Sequence, residues 1–119
     1  MPVDIVAGVL VALVAALHLY FLVLEMFLWT TPTGRRTFGL DPEFAEASRT
    51  LAANQGLYNG FLAAGLVWGL VAGHTDVEVF FLACVVVAGV YGAATVNRRI
   101  LLVQAVPAAL ALVAVLLSA

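Results

Sequence analysis

The chain has 119 residues, of which 65% are hydrophobic and only 10% are charged. A globular protein typically has about 45–50% hydrophobic and about 25% charged residues, and a soluble domain of this size cannot bury such an apolar excess. All 5 basic residues are arginines and the formal net charge is −2, so the chain has no basic surface for nucleic acid. The composition therefore predicts an integral membrane protein whose main partner is the lipid bilayer.

Four continuous apolar stretches are compared with the about 20 residues that a helix needs to cross a bilayer. They cover residues 5–29, 51–71, 77–96 and 100–117. They are rich in Ala, Leu and Val and do not alternate between polar and apolar positions, which indicates helices. Two of the three connections are short and make neighbouring helices antiparallel. The sequence thus predicts one all-α domain over residues 1–119, an integral membrane four-helix bundle.

The polar segment of residues 30–50 separates the first two spans. It is predicted to be a connection of turns because it carries several turn-forming and helix-breaking residues: Pro32, Gly34, Arg35, Arg36 and Gly39. Asp41, Pro42 and Glu43 then form a helix start, with Asp41 as the N-terminal cap. A helix from Pro42 to Gly73 would be about 48 Å long. Its first two turns are therefore expected to project beyond the bilayer surface.

The arginines predict the orientation of the bundle. They fall in or beside the first and third connections, as Arg35, Arg36, Arg49, Arg98 and Arg99. With four spans these two connections share one side of the membrane, which the positive-inside rule assigns to the cytoplasm. Both termini are then expected outside, with the long second helix projecting into the cytoplasm.

Two ionisable residues, His18 and Glu25, lie inside the first span. Such residues cost roughly 2.5–3.5 kcal/mol at a helix centre unless they find partners, so they are expected to face protein or water. Their seven-residue separation puts them on one stripe of the helix, about 10.5 Å apart along its axis. That is too far to share a metal ion, and no metal site is predicted.

The second span carries four polar side chains that share one broad face of a helix: Asn54, Gln55, Tyr58 and Asn59. The opposite face is predicted to be small: Gly56, Gly60 and Ala63. Tyr91 in the third span and Gln104 in the fourth lie in the same, cytoplasmic half of their helices. We therefore predict a polar pocket sunk from the cytoplasmic surface, with these side chains as ligand contacts.

Three functions are compatible with such a pocket. It could bind a small amphipathic or lipidic ligand, with Glu25 or His18 as a catalytic proton donor or acceptor. It could be part of a transporter or channel subunit, although the outer half of the spans supplies no polar residues to continue a path. Alternatively, the polar residues serve helix packing in a passive scaffold. No motif names a cofactor or decides whether the chain is an enzyme.

Three segments carry a resemblance to a known family. They are Glu25–Trp29 followed by Arg35 and Arg36, the run Asn54–Leu62, and Asn97–Arg99 followed by Gln104 and Pro107. The chain resembles, over essentially its whole length, the bacterial membrane family called domain of unknown function 1304. That resemblance implies a four-helix protein of the bacterial cytoplasmic membrane and no established activity.

A looser resemblance is to the membrane-associated proteins in eicosanoid and glutathione metabolism. Arg49 and Asn54 match that family's pattern near the membrane entry of the second helix, and Tyr91 followed by Arg98 echoes its third helix. It implies a glutathione-dependent transferase-like enzyme, a homotrimer in which Arg49 and Arg98 are ligand contacts. The acidic residue that usually follows the asparagine is missing here. A homo-oligomer, either trimer or dimer, is also expected because four short helices enclose little interior.

Overall fold

The computed structural model describes residues 2–119, and this part of the chain is all-helical, with 87% helix and no strand. This confirms the predicted all-α class. The elements in chain order are α1 (Val3–Met26), α2 (Pro32–Phe38), α3 (Pro42–Ala72), α4 (Thr75–Thr95), a π-helical segment (Leu101–Ala105) and α5 (Val106–Ser118).

Among the described residues, 3 helical stretches are long and apolar enough to cross a membrane. They are Val3–Met26, Thr75–Thr95 and Leu101–Ser118, and they overlap the first, third and fourth predicted spans, although α1 ends at Met26 rather than at Trp29. Helix α3 has 31 residues and is long enough, but it is less apolar on average than the other long helices. Asn54, Gln55 and Asn59 contribute to this lower hydropathy, so the second span stays a prediction.

Capping residues set the bounds of α3, as the sequence predicts. The Phe44 backbone N–H donates to Asp41 Oδ1 over 2.8 Å, which satisfies one of the donors left free at a helix start. At the other end Gly73 has φ 69°, a left-handed conformation that glycine adopts without steric cost. The helix therefore begins at Pro42 and ends at Ala72.

The connection between α1 and α3 corrects the prediction, because its turn-forming residues enclose a short helix. Pro32 occupies the first turn of α2, where a missing N–H costs nothing, and the Thr31 hydroxyl accepts from the Gly34 N–H over 3.3 Å. Gly39, at φ 66°, ends the helix. Pro32 and Gly39 thus act as a start and a stop, and the two arginines between them are helical.

The last apolar stretch begins with a π-helical segment that the sequence analysis does not predict. The Val106 N–H bonds to the Leu101 carbonyl, five residues earlier. Pro107 follows directly, and a proline can neither donate to the carbonyl four residues before it nor leave room for it. Widening the helix by one residue at this point accommodates the ring.

The chain forms two compact units, of which the first consists of residues up to Ala16 together with Leu62–Ala119. Val11, Leu66, Leu82, Val85 and Ala108 are fully buried in its hydrophobic core. Glycines allow close contact between the helices of this unit.

The contact at Gly89 is an example of this close approach. A Cβ added there would lie 3.0 Å from the Ala105 backbone nitrogen. Gly65 likewise packs against the Phe81 ring. The first unit is thus held together by aliphatic packing at short helix–helix distance.

Candidate functional site

The second unit, Leu17–Phe61, contains most of the predicted site residues. It consists of the end of α1, α2 and the first part of α3. Gly56 brings the two long helices together, because a Cβ there would lie 2.7 Å from Met26 Cγ and 3.2 Å from the Leu22 carbonyl oxygen. At Gly60 a Cβ would meet only Leu22 Cδ1, the end of a flexible side chain. Small residues at such positions let backbones approach closely.

The close approach joins Glu25 of α1 to Asn59 of α3. The Asn59 Nδ2 amide donates to Glu25 Oε1 over 2.5 Å. Asn59 is buried, with 7% of its surface exposed, and Glu25 is half-buried. A carboxyl–amide hydrogen bond therefore forms inside an apolar helix pair, at two of the predicted site residues.

Each member of this pair keeps an oxygen atom for another partner. Glu25 Oε2 and Asn59 Oδ1 make no hydrogen bond with any residue in the range 2–119. Neither atom is among the fully enclosed polar atoms of that range, so both retain accessible surface. The pair can thus accept hydrogen bonds from a donor group that reaches it.

His18 lies seven residues before Glu25 on α1, and its side chain is buried, with 1% exposed. Its ring packs edge-on against Phe21, with the ring centroids 5.3 Å apart. Within the described residues His18 therefore faces protein, as expected for an ionisable residue in this span. The spacing along the helix keeps the imidazole about 10.5 Å from the level of Glu25.

The predicted polar face of α3 is divided. Asn59 is buried, whereas Asn54, Gln55 and Tyr58 are exposed. The buried face of this part of α3 is the small one, which carries Gly56, because small residues allow the shortest approach to α1. Asn59 lies about 60° around the helix from Gly56 and can still reach Glu25.

Tyr91 and Gln104 belong to the first unit. The Gln104 Nε2 amide donates to the Val85 carbonyl oxygen over 3.3 Å, a contact between the π-helical segment and α4. Tyr91 is exposed on α4. Gln104 thus has a packing contact of the ordinary kind for an intramembrane amide, and the ligand role of both residues stays a prediction.

The two predicted arginine contacts are at the surface of the chain. Arg49 Nε lies 3.7 Å from Glu46 Oε1 on the same helix, and both side chains are mostly exposed. Exposed pairs of this kind contribute about 0–1 kcal/mol. Arg98 is exposed in the connection after α4. Their roles as ligand contacts also stay predictions.

The structure contains another polar contact, which joins the α1–α2 connection to α3. The sequence did not predict it. The Trp29 indole Nε1–H donates to Ser48 Oγ over 2.9 Å, and the Ser48 hydroxyl donates to the Phe44 carbonyl over 2.6 Å. The Trp29 ring also packs on Phe38, with centroids 4.9 Å apart. A tryptophan beside a connection signals an anchored ring, but sequence alone does not identify the serine that receives its N–H.

Residues 2–119 contain no group of three or more His, Cys, Asp or Glu side chains that could hold a metal ion. Within the described part of the second unit, two side-chain hydrogen bonds join α3 to the preceding segments, namely Asn59 to Glu25 and Trp29 to Ser48.

These observations define a helical protein with apolar helices of membrane-spanning length and a carboxyl–amide pair that involves one of them. The chain belongs to the family described as protein of unknown function (DUF1304), whose family model matches residues 12–116. It is 33% identical over 114 residues to the uncharacterized protein YpaA of Lactococcus lactis subsp. lactis (strain IL1403), an alignment that covers 92% of this chain and 96% of that protein. No solved structure matches the chain. The resemblance to the family called domain of unknown function 1304 is confirmed.

Proposed function

We propose that this chain is a four-span protein of the bacterial cytoplasmic membrane that binds a small amphipathic or lipidic molecule through Glu25 and Asn59. In this proposal α3 is the second of the four spans and completes a four-helix bundle. The ligand enters from the cytoplasmic side.

The distribution of arginines supports this topology. Arg35 and Arg36 lie on α2, Arg49 lies near the start of α3, and Arg98 and Arg99 follow α4. If α3 crosses the membrane, all five lie on the same side, which is the cytoplasmic side by the positive-inside rule. Both termini then lie outside.

The observation that carries the ligand site is the hydrogen bond from Asn59 to Glu25. An ionisable residue in a membrane span is costly and by default functional. Here one carboxyl oxygen is held by the amide, while Oε2 and the Asn59 Oδ1 are accessible acceptors. The amide thus orients the carboxyl group and leaves it with capacity for a further partner.

The two neighbouring acceptors, Glu25 Oε2 and Asn59 Oδ1, determine which polar group of a ligand can bind. They match a hydroxyl or ammonium group, which donates hydrogen bonds, and an ionised carboxylate would also attract the positive charge of an ammonium. The apolar residues around the pair suit an acyl or other hydrocarbon tail. The proposed substrate class is therefore an amphipathic molecule with a hydroxyl or amine head.

A glutathione-dependent reaction receives no comparable support. In the resemblance that suggests it, Arg49 contributes to holding a substrate carboxylate, whereas here the Arg49 guanidinium lies 3.7 Å from Glu46. The proposal therefore rests on Glu25 and Asn59 rather than on the arginines.

The experiment compares what copurifies with the protein from native membranes. Wild-type, Glu25→Gln and Glu43→Gln proteins are extracted in mild detergent, and bound small molecules are identified by mass spectrometry. Glu43 is an exposed acid in the first turn of α3 and serves as the matched control. We expect one molecular species with wild type and Glu43→Gln and its loss with Glu25→Gln.

Size-exclusion chromatography and circular dichroism of the same three samples separate binding from folding. Glutamine retains the shape of the side chain and an oxygen that can accept from Asn59, so Glu25→Gln is expected to stay folded. Equal copurification with all three proteins would contradict the ligand site. Loss of the folded protein only in Glu25→Gln would show that the pair is a packing contact.

A further inference from the structure

One exposed face of α3 has the spacing of a helix-pairing surface. Its residues recur at alternating intervals of three and four positions, which is the a and d pattern of a heptad repeat. We call this face the α3 seam, and its residues are Phe44, Ala47, Leu51, Asn54, Tyr58 and Phe61.

Every residue of the α3 seam is exposed. Its four large side chains are each more than half exposed, and Leu51 reaches 75%. The whole seam lies within the second unit, on one continuous helix. A heptad seam packs by inserting its side chains between those of a facing helix, and no residue in the described range 2–119 covers this one.

The polar residues at the seam indicate the kind of partner. Neither Asn54, on the seam, nor Gln55, which flanks it, has a side-chain hydrogen-bond partner among residues 2–119. A primary amide has both donors and an acceptor, so it pairs with another copy of itself. Acyl chains offer no such groups, and amides in helices of a bilayer hydrogen-bond across helix interfaces.

We propose that the α3 seam binds the α3 seam of a second copy of this chain. Copies inserted with the same orientation have parallel α3 helices at equal depth, so Asn54 lies opposite the same residue of the second copy. A single asparagine at a seam position fixes the register of paired helices. This inference rests on the proposed crossing of the membrane by α3, but it is independent of the proposed ligand site, because neither Glu25 nor Asn59 belongs to the seam.

The test is disulfide cross-linking of full-length protein in native membranes. Cys84 is first replaced by alanine, and single cysteines are introduced by Leu51→Cys, Asn54→Cys and Tyr58→Cys. Matched controls are Leu57→Cys, which lies off the seam on the same helix, and Val23→Cys on α1, both 42% exposed in the native chain. All five substitutions are at exposed positions and leave the core intact.

After mild oxidation we expect a dimer band on non-reducing gels for the three seam variants and its absence for both controls. Disulfides require the two Cα atoms to lie within about 7 Å, which only facing seam positions satisfy. Two differently tagged copies are coexpressed, and the cross-linked band is expected to contain both tags.

Three results would overturn the proposal. One is cross-linking of the controls as efficiently as of the seam, and another is the absence of cross-linking at all three seam positions. The third is a cross-linked band with one tag and a different mass, which would mean that another protein occupies the seam. Size-exclusion chromatography of each unoxidised variant establishes that it is folded.

Discussion

The contact between α1 and α3 at Gly56 leads to a prediction about packing. A Cβ at this position would lie 2.7 Å from Met26 Cγ, 3.1 Å from Glu25 Cβ and 3.2 Å from the Leu22 carbonyl oxygen. These atoms belong to the backbone or lie close to it, so they cannot yield unless the two helices separate. Gly56→Ala is therefore expected to push α1 away from α3.

The expected magnitude follows from three contributions. Alanine in place of glycine stabilises a helix by about 1 kcal/mol, whereas overpacking costs about 1–3 kcal/mol. Separating the helices also weakens the Asn59–Glu25 hydrogen bond, a loss of about 0.5–1.5 kcal/mol. We expect Gly56→Ala to lower the free energy of unfolding by roughly 0.5–3.5 kcal/mol.

Gly60→Ala is the matched control. A Cβ there would contact only Leu22 Cδ1, at 2.7 Å, which is the far end of a flexible side chain. Leu22 can move aside, so the gain in helix propensity remains. We expect Gly60→Ala to raise the free energy of unfolding by zero to about 1 kcal/mol. Unfolding is followed by SDS titration in mixed micelles, with tryptophan fluorescence as the signal, which Trp68 alone supplies in variants that lack Trp29. Equal midpoints for the two variants would refute the reasoning.

Three further predictions concern the second unit. Gly34→Ala should reduce the yield of folded protein in size-exclusion chromatography, because its Cβ would meet the Leu28 backbone carbonyl and overpacking there costs about 3 kcal/mol. Trp29→Phe removes the N–H that donates to Ser48 over 2.9 Å and should cost about 0.5–1.5 kcal/mol in the SDS titration. Adding Ser48→Ala to Trp29→Phe should cause little further loss of stability in a double-mutant cycle. Asp41→Ala removes the α3 cap and should cost about 0.5–2 kcal/mol in the same titration, with Asp41→Asn close to wild type.

Each of these predictions has a contrary outcome. A wild-type yield of Gly34→Ala would mean that α2 can move away from the end of α1 without loss. Strictly additive effects of Trp29→Phe and Ser48→Ala would show that their hydrogen bond contributes nothing to stability. Asp4→Ala is the control for the cap, because Asp4 lies in the first turn of α1 and no side-chain hydrogen bond to it is found among residues 2–119. An equal effect of Asp4→Ala and Asp41→Ala would exclude capping as the cause.

The sequence by itself determined the helical class and the ends of α3. The length of an apolar run and the identity of a cap are local properties, so Asp41 and Gly73 mark the bounds of α3 without reference to other helices. Local reasoning failed where residues have two uses and where the helix widens before Pro107. Pro32 and Gly39 end chains of hydrogen bonds, but at the right spacing they also enclose a short helix.

The tertiary structure decided which polar residue of α3 reaches α1. Helical spacing places Asn54 and Asn59 on a shared broad face, but it does not say which side of that face meets a neighbour. The absence of a side chain at Gly56 allows the closest approach, so packing turns this side of α3 toward α1. Asn59, at the edge of the contact, then bonds to Glu25, while Asn54 remains exposed. The sequence shows which face of α3 is small, but only the tertiary structure shows that this face packs against α1 and brings Asn59 to Glu25.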